Sequence, residues 1–369
     1  MSGRKLRILL AHPGASWATA DVFLGLQSGL KYHDEADVYS FRLDQRFAAS
    51  QSALYWLWRT KKKTEPNLPP PNPADLSYHA SLGALEMALR NHVDVVIVVS
   101  AMLFHPDVLI MMKQAGLKVV VLFTESPYDH ESEMKVAKIV DGGWTNERSA
   151  VASFRTVNPR FGYLPHGWNP MVHRTDLPID DSVPAHDVVF VGTGFRERYR
   201  FFNSIDWTGI NLGLYGTWNQ KLLNKQVRQY LHAGPIENSR ATLLYRRAKI
   251  GLNLYRVSQG WGPDAPQIAH AESINPRAYE LAACGTFCLS DFRSESAEIF
   301  GDLVPMFRSP IEAAALIRCW LADEAGRQSI AAALPARVAE ASWIDRTKTV
   351  LGDLQLLLSN ERPTMAVGA

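Results

Sequence analysis

Hydrophobic positions along the chain fall into two successive series of alternating short apolar runs and helical repeats. Residues 6–10 form an apolar run after a basic start, and His12-Pro-Gly-Ala-Ser16 reads as a loop. Residues 19–30 then repeat at helical spacing through Val22, Leu26 and Leu30. Residues 93–99 and 117–123 are nearly continuous β-branched runs, the pattern of parallel strands covered on both faces. Residues 106–115 supply a helix between them. Strand and helix in alternation predict a doubly wound sheet.

A second series begins beyond a weakly patterned, Pro-containing stretch. Strands are expected over 187–191, 210–215, 250–255 and 286–289, with helices over 240–248 and 276–283. The first of these strands runs into Gly192-Thr-Gly194 and the second into Gly216. The expected organisation is an N-terminal Rossmann-like domain over 1–168, a hinge over 169–186 and a C-terminal Rossmann-like domain over 187–340. Residues 341–369 then hold a helix, whose apolar spacing over 343–359 can return it to the first domain, and a frayed tail from Asn360. The two doubly wound domains are expected to face a cleft.

One segment departs from this pattern. Leu54-Tyr-Trp-Leu-Trp-Arg-Thr-Lys-Lys-Lys63 is followed by residues 65–73, which hold five prolines, three of them consecutive. It reads either as a helix whose Trp residues pack inward and whose lysines are solvated, or as an aromatic and basic patch. Such a patch, with Trp56 and Trp58, suits a membrane surface, a nucleic acid or an extended polymer.

Composition narrows the classes. A length of 369 residues suits two domains at roughly 100–200 residues each. Charge is nearly balanced, 39 Lys+Arg against 37 Asp+Glu, so no global field demands nucleic acid or an anionic membrane. No apolar run approaches the roughly 18–20 residues of a transmembrane helix, and the first ten residues lack a signal-peptide pattern. A cytoplasmic protein is expected. Three cysteines without zinc-ligand spacing read as buried structural thiols.

The chemistry concentrates in Glu272-Ser-Ile-Asn-Pro-Arg-Ala-Tyr-Glu280. Asn275 suits an N-cap and Pro276 the first helical position, so a helix is expected to begin there and to end at Gly285. Its N-terminus offers unpaired N–H groups and a positive dipole end to a phosphate, with Arg277 on the first turn. Glu280 lies about one turn inside, where a carboxylate can accept both hydroxyls of a ribose. Glu272, in the preceding loop, can hold hydroxyls of a sugar beyond the phosphates. Arg196 and Arg198 follow the glycine turn, and a guanidinium forks onto phosphate oxygens. No Asp-x-Asp metal motif stands out, and Asp180-Asp181 reads as a solvated pair.

This span resembles the E-x7-E element of retaining GT-B glycosyltransferases. The longer string from Ala271 to Gly285 resembles the CgeB-like group of that superfamily. Thr124-Glu-Ser-Pro-Tyr128, Leu164-Pro-His-Gly167, Val189-Phe-Val-Gly192 and Lys249-Ile-Gly-Leu-Asn-Leu254 match in order, so the resemblance covers about residues 90–335. It implies a nucleotide-sugar donor, a UDP-sugar by expectation, held mainly by the second domain (187–340) with the acceptor on the first (1–168), and no cofactor and no metal. Glu280 would hold the donor ribose and Glu272 the transferred sugar. Arg196 or Arg198, with Lys221 as a further candidate, would neutralise the diphosphate beside Gly192, Gly194, Asn275 and Arg277. The departing phosphate would act as base toward the acceptor. His105 and Glu125, after first-domain strands, are further catalytic candidates, and His12, Gly14, His166, Trp56 and Trp58 are candidates for sugar or acceptor contact. Tyr255, Arg256 and Trp261 are candidates to wall the pocket. The implied acceptor is a surface or spore glycan or, in a phage setting, a hydroxymethylated DNA base. Alternatives of the same shape are a nucleotide-sugar 2-epimerase, a phosphorylase and a non-catalytic nucleotide-sugar-binding protein. Oligomeric state is not legible.

Overall fold

The computed structural model describes residues 4–14, 19–260, 265–268 and 270–359, so Trp261 and the tail from Asn360 lie outside them. The chain divides into two compact units. One comprises residues 1–165 with 346–369, and the other residues 166–345.

The first unit runs β1 (Leu6–His12), α1 (Ala20–Tyr32), β2 (Ala36–Arg42), α2 (Leu43–Lys61), α3 (Pro73–Arg90), β3 (Val95–Val99), α4 (Pro106–Gln114), β4 (Lys118–Phe123), α5 (His130–Ala137), β5 (Gly142–Thr145), α6 (Val151–Arg155) and β6 (Phe161–Tyr163). Its six strands are all parallel, in the order β2-β1-β3-β4-β5-β6. Every residue of β3 is buried, which is why the strand reads as an unbroken Val/Ile run rather than an alternating one. Val96, Val98, Val119 and Val121 pack in one core with Ala80 and Ala84 of α3 and Leu109 of α4.

The second unit runs β7 (His186–Val191), α7 (Arg196–Ser204), β8 (Leu212–Gly216), α8 (Lys225–Arg228), β9 (Leu231–Ala233), α9 (Asn238–Arg246), β10 (Ala248–Asn253), α10 (Pro276–Ala283), β11 (Cys288–Asp291), α11 (Ser294–Phe300), β12 (Met306–Phe307), α12 (Pro310–Ala322) and α13 (Glu324–Arg337). A last helix, α14 (Trp343–Leu358), passes into the first unit, where Asp353 accepts the Trp144 indole N–H of β5 at 2.7 Å. The second sheet is also parallel, ordered β12-β11-β10-β7-β8-β9. Strand order therefore reverses between β1 and β3 in one unit and between β7 and β10 in the other. Ligands of open α/β sheets sit outside the carboxyl ends of the strands at such points.

Some expected strands are displaced by hydrogen bonds at their ends. β11 begins at Cys288 rather than Thr286, because Gly285 takes φ +63° and the Thr286 N–H closes back onto Leu281 at 3.0 Å. β8 begins at Leu212 because the Ile210 N–H closes a turn onto Trp207 at 3.0 Å. β10 stops at Asn253, and the Tyr255 N–H leaves the ladder for the Asp291 carboxylate.

One cysteine expectation is corrected. Cys284 and Cys288 are buried, and burial pushes both thiols up to about 12, but Cys319 is exposed on α12. The aromatic segment also divides in two. Trp58 is half-buried, its indole N–H donating to Leu68 at 2.9 Å, whereas Trp56 is 66% exposed. The two side chains leave a helix on nearly opposite sides when two residues apart, so only one of them can pack inward.

Candidate functional site

At the carboxyl end of β7 the chain turns through Gly192, Thr193 and Gly194, stitched to the neighbouring strand end by Gly192 N–H to Tyr215 (3.0 Å) and Gly194 N–H to Thr217 (2.9 Å). The approach is so close that a Cβ on Gly216, which takes φ +118°, would collide with the Gly192 carbonyl. A Cβ on Gly192 would lie 2.5 Å from Arg277 Nη2, and one on Gly194 would strike the Tyr199 hydroxyl. The glycines therefore make room for specific side chains beneath them.

Two of the candidate arginines are committed to this scaffold. Arg277 Nε donates to the Val191 carbonyl at 2.8 Å, with longer contacts from Nη1 to Asn253 Oδ1 (3.3 Å) and the Leu254 carbonyl (3.4 Å). Arg198 is buried and donates to the Thr193 and Leu254 carbonyls at 2.8 and 2.7 Å. Both guanidinium groups lie over the Phe190 ring, at 4.5 and 5.2 Å. They tie the ends of β7 and β10 together at the strand-order reversal. Arg196, by contrast, occupies the first position of α7, half-exposed and without a hydrogen bond or ion pair among the described residues. No side chain caps α7 either: Phe195 stands at its N-cap. Lys221 is exposed on a turn beyond β8.

α10 opens as its sequence requires. Asn275 is extended (φ −84°, ψ 167°), its side chain accepts the Ala278 N–H at 3.2 Å, and Pro276 follows. The loop before it is held by residues the sequence did not single out. Glu295 accepts the Ile274 N–H at 2.7 Å, and Arg293 donates to the carbonyls of Ala271 (2.8 Å) and Arg256 (3.1 Å). Glu272 sits in that loop, its side chain 29% exposed, with Oε1 3.0 Å from His270 Nε2.

Glu280 is buried, with Oε1 4.0 Å from Nε2 of buried His173. His173 Nδ1 accepts the Asn169 N–H at 3.1 Å, so in the neutral ring the proton resides on Nε2, facing Glu280. Burial holds His173 down to about 3, so the ring is neutral. Asp291, at the end of β11, receives the Tyr255 N–H at both oxygens, 3.0 Å each. Burial nevertheless pushes its carboxyl up to about 7, against the pull of Arg293, Arg198 and Arg277.

In the first unit the candidates line the carboxyl ends of neighbouring strands. His12 ends β1, buried and stacked on Phe23 at 3.6 Å, with Nε2 2.8 Å from Ser40 Oγ; burial lowers it to about 4. Gly14 takes φ +108°, and a Cβ there would run into the Asp44 carboxylate. Beyond β3, Ser100 and Ala101 are both left-handed (φ +67° and +57°), a strained conformation for residues with a Cβ. Beyond β4, the Glu125 N–H donates at 3.0 Å to Glu133, which also receives the Ser126 hydroxyl; burial pushes the Glu133 carboxyl up to about 8. His105 is the N-cap of α4, its Nδ1 accepting the Asp107 N–H at 3.3 Å. His166 is half-buried and begins the second unit. Trp56 and Trp58 lie on α2, away from these strand ends in sequence. Among the described residues no three His, Cys, Asp or Glu side chains gather as metal ligands.

Residues 196–352 match a family model described as glycosyl transferase-like. Among solved structures, an E. coli structure described as trehalose-6-phosphate bound with UDP-2-fluoro glucose aligns with a TM-score of 0.62 at 11% identity, covering 95% of this chain and 99% of that one. Sucrose-phosphate synthase from Thermosynechococcus elongatus aligns at 0.61 and 13%, covering 97% and 100%. A UDP-N-acetylglucosamine 2-epimerase aligns at 0.57 and 12%, covering 98% of each. No curated protein sequence matches. The fold is GT-B, two Rossmann-like domains each built on a six-stranded parallel sheet.

Proposed function

We propose that the chain is a CgeB-like retaining glycosyltransferase that moves a hexosyl group from a nucleotide-sugar donor, by expectation a UDP-sugar, to an acceptor hydroxyl in the cytoplasm. The observation that carries this reading is the start of α7. It follows the glycine turn at the strand-order reversal, opens with Arg196 half-exposed and unpartnered among the described residues, and has no side-chain cap at Phe195. An anion completes such a helix end as both cap and counter-charge. Arg198 and Arg277, already spent on carbonyls, act as positioning residues that hold the turn in shape.

In this reading the diphosphate rests on the first turn of α7 with Arg196, and Lys221 closes over it. Negative charge that builds on the departing phosphate is stabilised by these fixed cations and helix ends, without a metal. Glu280 takes the ribose hydroxyls, with the neutral His173 ring 4.0 Å away, and Glu272 takes the hydroxyls of the transferred sugar. The departing phosphate accepts the acceptor's proton, which returns the new bond to the face the donor occupied. Assignment of the two glutamates rests on the E-x7-E resemblance together with their placement on and before α10.

The test is slow donor hydrolysis across a panel of nucleotide sugars, followed by NMR of the released sugar. Glu280→Ala is expected to raise the donor KM, and Glu272→Ala to lower kcat with donor affinity largely kept. Release of the 2-epimer, or turnover in both variants equal to wild type, would overturn the assignment.

A further inference from the structure

We propose that the α2–α3 hairpin carries a docking surface for an anionic bilayer. Of the 19 residues of α2, Leu43 alone is buried, and the helix is anchored mainly along α3. The sequence from Phe47 to Trp58 contains no charged residue, although Ala48, Ala49, Gln51, Ser52, Ala53, Trp56 and Leu57 are exposed. Trp56 and Leu57 are 66% and 47% exposed, an adjacent apolar pair. Directly after it come Arg59, Lys61, Lys62 and Lys63, all exposed, against one acid, Glu65. A charge-free helical face with a Trp–Leu wedge and a cationic end matches the interface between acyl chains and anionic headgroups.

The same residues fit a single-stranded nucleic acid less well. Stacking platforms present several open aromatic faces in succession. Here the Trp58 ring is covered by Lys62 Nζ at 4.5 Å and its N–H is taken by Leu68, which leaves one open indole beside an aliphatic side chain. Trp58 instead fastens the polyproline-bearing loop to α2, and Asn72 and Asp75 close a capping box at the start of α3. The wedge is thus presented on a stiff hairpin, a preorganised surface for a flat partner. With so little apolar area, binding is expected to depend on headgroup charge and to weaken with salt.

The experiment is vesicle flotation of the full chain with phosphatidylcholine alone or with about 30% phosphatidylglycerol, at about 0.1 and about 0.5 M salt, chosen to span the change in screening length. Wild type is expected to float with the anionic vesicles at low salt, and much less with neutral vesicles or at high salt. Each of Lys61→Gln, Lys62→Gln and Lys63→Gln should lower partitioning about five-fold, and Trp56→Ser with Leu57→Ser about ten-fold or more. Wild-type melting temperature in these variants shows that folding is intact. A vesicle-induced blue shift of Trp emission should vanish in Trp56→Phe. Absence of flotation, flotation indifferent to all these substitutions, or retention of a single-stranded oligonucleotide by these residues without vesicle binding would each overturn the proposal. None of these readouts depends on donor chemistry.

Discussion

Gly192→Ala probes the scaffold at the strand-order reversal. The added methyl group would lie 2.5 Å from Arg277 Nη2 and 3.2 Å from two carbons of the Phe190 ring. Phe190 is fully buried, so the guanidinium must give way. Displacing it breaks the 2.8 Å bond to the Val191 carbonyl, and the contacts of 3.3 and 3.4 Å add little. A hydrogen bond to a charged group is worth about 1.5–3 kcal/mol, so a loss of about 2–3 kcal/mol is expected. For a unit of this size that corresponds to a fall of about 4–12 °C in the melting temperature of the second unit. Scanning calorimetry of wild type, Gly192→Ala, Arg277→Ala and the double variant tests the cause as well as the size. If the methyl group acts through the guanidinium, the double variant should melt close to Arg277→Ala. Additive losses, or a Gly192→Ala protein within about 1 °C of wild type, would refute the reasoning.

Asn275→Ala removes the cap of α10 and should destabilise the second unit by about 1 kcal/mol while weakening donor binding; unchanged melting would argue against the cap. Glu133 has a folded-state pKa raised to about 8 from 4.5, so its contribution to stability is full below about pH 4.5 and is lost as pH rises toward 8. Glu133→Gln should therefore melt progressively higher relative to wild type from pH 5 to pH 8, and a constant difference would contradict a buried neutral carboxyl. His12 and His173 have the opposite sign: held at about 4 and about 3, they stay neutral in the fold while the unfolded chain takes up protons below about pH 6.5. Their stabilisation is complete above that pH and declines on acidification, by on the order of 3 kcal/mol each by pH 4. His173→Asn should flatten the acid limb of melting temperature against pH, and an unaltered slope would show that the ring is not buried neutral.

Much of the fold was legible because parallel strands covered on both faces cannot hide. Residues 95–99 and 119–123 are all apolar and all buried, and Asn275-Pro276 marks a helix start that needs no tertiary contact. Short strands were not legible: Gly142–Thr145, Phe161–Tyr163 and Met306–Phe307 carry too few residues for a period to emerge. The site divides the same way. Candidate arginines could be counted from the glycine turn, but Arg198 and Arg196 differ by whether a distant carbonyl, that of Leu254, lies within reach. His173, Glu295 and Asp291 escaped notice because each acts on a residue far along the chain, in a spacing no motif records. Trp56 and Trp58 share one sequence signal and separate only once the Leu68 carbonyl takes the Trp58 indole N–H and Lys62 covers its ring.

The central claim is that a nucleoside diphosphate occupies the first turn of α7. Isothermal titration calorimetry of the full chain with the diphosphates of uridine, guanosine, adenosine, cytidine and thymidine tests it most directly. The account predicts saturable binding of at least one of them, UDP by expectation, weakened about ten-fold or more in Arg196→Ala at unchanged melting temperature, the scale of one charge-assisted phosphate contact. Failure of all five to bind, or binding that Arg196→Ala leaves untouched, would contradict it.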